Sequence, residues 1–204
     1  TIMAVNCLIY WGSSALTAGR YHYDFTMAFD REVPLLPVFV WFYILAFPFW
    51  AVGYLLAARR GKDMFYRFVA TDLTIHFICF ICFILIPTTN IRPEIPGNTL
   101  SEKILALVYS LDGGNSPSNL FPSIHCYVSW MCWKGVEGSE KVPKWYQRFS
   151  LVFAILIIIS TQVLKQHYIV DAAAALLLVE FFWRFYQKGQ RHKWVVHVFA
   201  HKKK

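Results

Sequence analysis

The chain has 204 residues, of which 57% are hydrophobic, 18% aromatic and only 16% charged. That excludes a disordered chain, which is polar and poor in aromatics, and an ordinary soluble domain, which exposes few contiguous apolar patches. The net charge of +8 would suggest a nucleic-acid partner in a soluble protein, but in so apolar a chain the placement of the charge matters more than its sum.

Six apolar stretches read as helical spans: 2–16, 37–58, 65–87, 122–136, 149–164 and 168–186. Residues 19–34 form a polar connection, in which Tyr21 to Asp24 read as an interfacial aromatic belt. Asp72 and His76, four apart inside the third span, read as a structural pair, either bonded to Arg67 or packed between helices. The longest polar stretch is 88–121. Within it, residues 99–111 have Leu100, Ile104, Leu107, Val108 and Leu111 on one helical face, and Thr99 and Glu102 at capping-box spacing. Such a helix is expected to lie on the membrane surface. The fold expected is all-α: a single polytopic domain over 1–204, built as an integral membrane six-helix bundle with one short interfacial helix.

All five cysteines (Cys7, Cys79, Cys82, Cys126 and Cys132) lie in apolar stretches and read as structural thiols. Cys79 and Cys82 lack the second pair that a zinc site needs. Lys and Arg sort strongly by loop: fifteen of the twenty fall after span two, after span four, or at the end of span six and in the tail. The exceptions are Arg20, Arg31, Arg92, Lys103 and Lys165. This bias puts both termini in the cytoplasm and loop 88–121 on the extracytoplasmic face. The Lys202 to Lys204 run reads as an anchor to anionic lipid. The expected partner is then the bilayer, with no nucleic acid.

Three polar segments converge on the outer face: Ile91-Arg92-Pro93, Pro122-Ser123-Ile124-His125, and Ser160-Thr161 followed by His167 and Asp171. On a helix, His167 and Asp171 share a face. A carboxylate that holds an imidazole in one tautomer prepares it as a nucleophile. Pro122 suits a first helical turn, whose free N–H groups make an anion site together with the Ser123 hydroxyl. Arg92 offers a fork of donors that fits phosphate oxygens. A nucleophilic histidine, an acid histidine, a helix end and an arginine together suit phosphoryl transfer.

The chain resembles the type 2 phosphatidic acid phosphatase superfamily of integral-membrane lipid phosphate phosphatases. Its pattern is K-x6-R-P, P-S-G-H and S-R-x5-H-x3-D. The second part stands here as Pro122-Ser123-Ile124-His125. The third stands as Ser160-Thr161, five residues, His167, three residues, Asp171, and the first survives as Arg92-Pro93. The resemblance implies that His167 attacks phosphorus to form a phosphohistidine, Asp171 orients it, and His125 protonates the leaving alcohol. Arg92 and Ser123 would bind phosphate, and Ser160 and Thr161 are expected to join them in binding it. It implies no metal and no cofactor.

Two positions depart from the family. Leu85 stands where it has lysine, and Thr161 where it has arginine. Lys165 replaces part of the lost charge if helix continues past Thr161. Ser160 has a second reading, a bond back to its own helix backbone. The activity expected is hydrolysis of a lipid phosphomonoester or pyrophosphate. The Phe-Pro-Ser-x-His wording and the Pro87-Thr88 pair also resemble the branch with inositol phosphorylceramide synthases, which transfer a phospho-headgroup between lipids. A non-enzymatic lipid transporter stands as the alternative outside enzymes.

Overall fold

A computed structural model describes residues 2–114 and 117–200, with the side chains of 9–114 and 117–198. The Cys7 side chain and Lys202 to Lys204 lie outside them. The chain is mostly helical: α1 (Ile2–Thr17), α2 (Ala28–Glu32), α3 (Val40–Ala58, after a 3-10 turn at Pro37–Phe39), α4 (Lys62–Leu85), α5 (Leu100–Leu111), α6 (Ile124–Val136), α7 (Lys144–Val163), α8 (Ile169–Gln187) and α9 (Lys193–Ala200). One small parallel pairing departs from an all-α fold. Strand β1 (Tyr23–Asp24) lies beside β2 (Thr88–Thr89), with Tyr23 opposite Thr88.

Three segments are long and apolar enough to cross a membrane: Pro37–Ala58, Lys62–Leu85 and Lys144–Val163. The other three expected spans are helical as well. However, α6 has only 13 residues, short of the roughly 20 that a bilayer core requires, and α8 carries Asp171, Glu180 and Arg184.

The short helix α6 is the axis of the fold and packs against α3, α4, α7 and α8. Cys126, Tyr127, Val128, Met131, Cys132 and Val136 are all buried. α3 runs alongside it in the same direction, from the Tyr43–His125 ring stack to the Trp50 Nε1–H bond onto Ser129 Oγ at 2.9 Å. The two backbones approach through glycine. A Cβ on Gly53 would lie 2.6 Å from Cys132 Sγ, and one on Gly135 would lie 3.0 Å from Ala57 Cβ and 2.9 Å from Phe68 Cε2. Small residues at facing positions are how apolar helices pack closely.

α4 runs antiparallel to α6 and adds a buried polar tie. The Tyr54 hydroxyl donates to Asp72 Oδ1 at 2.6 Å, His76 Nδ1 lies 3.5 Å from Asp72 Oδ2, and the Tyr127 hydroxyl lies 2.6 Å from His76 Nε2. Of the two sequence readings, Asp72 takes the packed one. Arg67 instead bonds Asp63 at 2.7 Å and the carbonyls of Tyr186 and Gln187.

Cations gather at one end of the bundle. There Arg60 donates to the carbonyls of Lys134 and Gly135, and Lys134 pairs with Glu137 and Glu180. His125 and His167 lie at the opposite end, at the start of α6 and just before α8. Helix α5 forms with its capping box: the Glu102 N–H donates to Thr99 Oγ1 at 3.2 Å, and the Thr99 N–H donates to Glu102 Oε2 at 3.1 Å. The side that packs on the protein adjoins the apolar stripe. Leu105 and Tyr109 point inward with Ile104 and Val108 beside them, packed on Val40, Tyr43 and Leu164, while Leu100, Leu107 and Leu111 are exposed.

Gly53→Ala should destabilise the detergent-solubilised protein by about 1–3 kcal/mol through overpacking. Gly12→Ala meets nothing within 4 Å, and alanine is the better helix former, so it should leave the melting temperature unchanged or raise it. Thermal unfolding of both variants checks the pair.

Candidate active site at the starts of α6 and α8

The site is assembled by a tight reversal between α7 and α8. Helix α7 stops at Val163, and the expected continuation through Lys165 does not occur: Lys165 adopts φ +52°. The N–H groups of Gln166 and His167 both return to the Thr161 carbonyl, at 2.9 and 3.0 Å. Helix α5 and the segment after β2 satisfy the other free carbonyls of the turn. The Tyr109 hydroxyl donates to Leu164 O at 2.7 Å, and Asn90 Nδ2 donates to Lys165 O at 3.0 Å. Burial pushes the Tyr109 hydroxyl up to about 12, so it stays a donor.

The reversal delivers His167 before α8 begins, so its approach to Asp171 comes from the cap turn and not from two positions on one helix. Asp171 Oδ2 accepts the Tyr168 N–H at 2.9 Å as the cap of α8, and the same oxygen lies 3.5 Å from His167 Nδ1. The reversal is held from outside by Asp30 of α2. Its Oδ1 accepts the Ile169 N–H and its Oδ2 the Met27 N–H.

His125 sits in the first turn of α6, at the positive end of that helix. Its ring stacks on Tyr43 at 4.3 Å and is flanked by Trp50 at 5.0 Å and Phe47 at 5.8 Å. The centroids of the His125 and His167 rings are 6.2 Å apart. Helix α6 starts at Ile124, two residues later than expected: Ser123 is the cap and Pro122 precedes it. The Ser123 N–H donates to the Asp171 carbonyl at 3.2 Å, and its Oγ accepts the Cys126 N–H at 3.3 Å. That bond ties the start of α6 to the start of α8. The chain entering α6 is pinned by Thr88, whose Oγ1 accepts the N–H groups of Leu120 and Phe121 at 2.9 and 3.0 Å.

Both histidines face a cavity of about 280 Å³ whose walls include Tyr43, Phe47, Trp50, Val108, Leu111, Asp112 and Asn119. Asn90 Oδ1, Arg92 Nε, Asn119 Oδ1, His125 Nε2, Gln166 Nε2 and His167 Nδ1 are buried without a hydrogen-bond partner. Buried polar atoms are normally paired, and six of the ten unpartnered ones among the described residues gather at this end of the bundle. Among the described residues, no group of three or more His, Cys, Asp or Glu side chains converges as metal ligands would.

The remaining expected residues stand differently. Arg92 is buried and engaged by the protein. It donates to Asp112 O at 2.9 Å, Gly114 O at 3.1 Å, the Asp112 carboxylate and Gln166 Oε1, and it lies over the Tyr109 ring at 4.7 Å. Its fork is therefore not open to a ligand. Lys165 Nζ donates to the carbonyls of Asp30 and Val33 at 2.6 and 2.5 Å, away from the cavity wall, and desolvation lowers its pKa. Ser160 Oγ bonds back to Ile157 O at 2.6 Å, and Thr161 Oγ1 bonds back to Ile158 O at 2.7 Å. Leu85 is exposed. Sequence reasoning missed Asp30, Thr88, Asn90, Asp112 and Gln166. Gln166 adjoins His167 in the chain, but no spacing links Asp112 or Asp30 to the motifs.

A sequence model described as the PAP2 superfamily matches residues 21–184, most of the 204-residue chain. The chain belongs to the PAP2 superfamily. No curated protein and no solved structure matches it significantly. PAP2 members are generally phosphatases or phosphotransferases. With its three apolar helices, membership makes this chain an integral membrane protein of that kind.

Thr88→Val keeps the shape but leaves two buried N–H groups unpaired. It should cost about 1–3 kcal/mol for each group, whereas Thr89→Val should cost little, because the Thr89 hydroxyl makes only a 3.4 Å contact with Asn90 O. Denaturant unfolding in detergent compares the two.

Proposed function

We propose that the chain transfers the phosphoryl group of a membrane lipid phosphoester through a phosphohistidine on His167, at a cavity on the extracytoplasmic face. The observation that carries this reading is the His125–His167 pair across one cavity, 6.2 Å between ring centroids, with Asp171 beside His167. A phosphorus about 3 Å from one imidazole and a leaving oxygen about 3 Å from the other span a gap of this order.

His167 attacks phosphorus, and the bond to the leaving alcohol breaks as protonated His125 gives its proton to that oxygen. Asp171 holds the His167 ring and stabilises the charge it gains. In the second step the acceptor passes its proton back to His125, attacks phosphorus, and releases His167. With water as acceptor, the enzyme is a lipid phosphatase acting on a phosphomonoester or pyrophosphate. Arg92 then acts by holding the 88–121 loop against the Gln166–His167 turn. The fifteen cations gathered by loop support cytoplasmic termini and six crossings, with α6 and α8 completing their passage inside the bundle.

A second acceptor, a lipid hydroxyl, is favoured by one observation. The cavity offers Phe47, Trp50, Val108 and Leu111 to a chain-bearing acceptor and little open positive charge to a dianion. That outcome is headgroup transfer.

The test presents the purified chain with a panel of lipid phosphates, with and without an acceptor lipid, and follows free phosphate and lipid products. His167→Ala should abolish both products and the acid-labile phosphate on the protein. His125→Ala should lower turnover about 10²–10⁴-fold, with partial recovery on a substrate whose leaving group needs no proton. Wild type matching His167→Ala, with no product of either kind, would overturn the enzyme reading.

A further inference from the structure

Arg92 has five N–H donors. Its Nη1 serves the carbonyls of Asp112 and Gly114, and its Nη2 serves the Asp112 carboxylate and Gln166 Oε1. The four Nη hydrogens thus have four protein acceptors, and only Nε remains, buried and unpartnered. The other oxygen of Asp112 accepts the Tyr10 hydroxyl. The Arg92 side chain is 0% exposed and that of Asp112 is 23% exposed. Asp112 lines the cavity with His125 and His167, and Arg92 does not.

The charged group that a ligand meets is therefore the carboxylate. Arg92 and Asp112 cancel each other. Lys165 Nζ is held by two backbone carbonyls, and Leu85 and Thr161 carry no charge. Asp171 adds a further negative charge beside His167. A dianionic phosphate would enter this space with no free cation to meet it, and in a partly desolvated site that is costly. A singly charged phosphate brings half that charge into the same space, so its desolvation and repulsion cost less.

We propose that Asp112 is a specificity-determining residue: by neutralising Arg92 it makes the cavity accept a phosphate ester with one negative charge, a phosphodiester, in preference to a dianionic phosphomonoester. Asp112 acts through Arg92, as a positioning residue. The inference rests on the phosphoryl-transfer reading above and decides between its two acceptor outcomes, because a phosphodiester donor brings a headgroup to transfer.

The experiment uses the full chain in detergent–lipid micelles at pH 8. It compares kcat/KM for phosphatidic acid, a monoester, and phosphatidylglycerol, a diester, with the same acyl chains. Wild type should favour the diester. Asp112→Asn should shift the ratio about tenfold towards the monoester, the factor that about 1.4 kcal/mol of lost repulsion produces, and Asp112→Glu should restore the wild-type ratio. Calorimetric binding of inorganic phosphate should tighten about as much in Asp112→Asn. A merely structural role would lower both substrates together and leave the ratio and the phosphate affinity unmoved, which overturns the inference. A wild type that prefers the monoester overturns it as well. If Asp112→Asn fails to fold, Asp112→Ser set against Asp112→Glu reads the same ratio. Phosphate binding needs no turnover, so it still tests Asp112 if neither lipid reacts, an outcome that would defeat the phosphoryl-transfer reading itself.

Discussion

The structure depends on burying a short helix. α6 has 13 residues and almost no side of its own facing out, and it is tolerated at the centre because its neighbours come close. Gly53 admits Cys132, and Gly135 admits Phe68 and Ala57. In an apolar medium such contacts replace the hydrophobic drive that packs helices in water. The depth at which α3 meets α6 then fixes the Tyr43, Phe47 and Trp50 cage around His125, because those residues precede Gly53 on the same helix. Loss of that close approach would displace one of the two histidines while leaving the other in place.

The second histidine is set by hydrogen bonds. The α7–α8 reversal exposes a cluster of carbonyls and amides that cannot remain bare in an apolar surround. Each finds a partner from a different segment: Thr161 takes two amides, Tyr109 and Asn90 cover Leu164 and Lys165, and Asp30 caps Ile169. The same logic accounts for Arg92, whose guanidinium closes the 112–114 carbonyls against Gln166. A residue that reads as a phosphate clamp is thereby drawn into the frame, and the cavity is left poor in free positive charge.

Several polar residues inside the bundle tie helices together. Asp72, His76, Tyr54 and Tyr127 join one another across α3, α4 and α6, and Trp50 meets Ser129. They link helices that apolar packing alone would leave free to slide. Six of the ten buried polar atoms without a hydrogen-bond partner among the described residues lie at the end that holds His125 and His167.

Much of this was legible in the sequence. Apolar runs located the helices, the Thr99 and Glu102 spacing located α5, and the motif spacings named His125, His167 and Asp171 as a set. What failed was local extrapolation. Helical spacing suggested that Lys165 reaches the site, but a left-handed turn redirects it. Arg92 carried the right motif, yet Asp112, twenty residues away, occupies its donors. The sequence by itself determined the helical membrane character, the family and the residue types available for phosphoryl transfer, because composition and short spacing encode those directly. Only the tertiary structure decided which charges reach the cavity, because hydrogen bonds in an apolar interior are satisfied by whichever segment packs nearest, and that proximity is set by the close approach of the helices rather than by spacing along the chain.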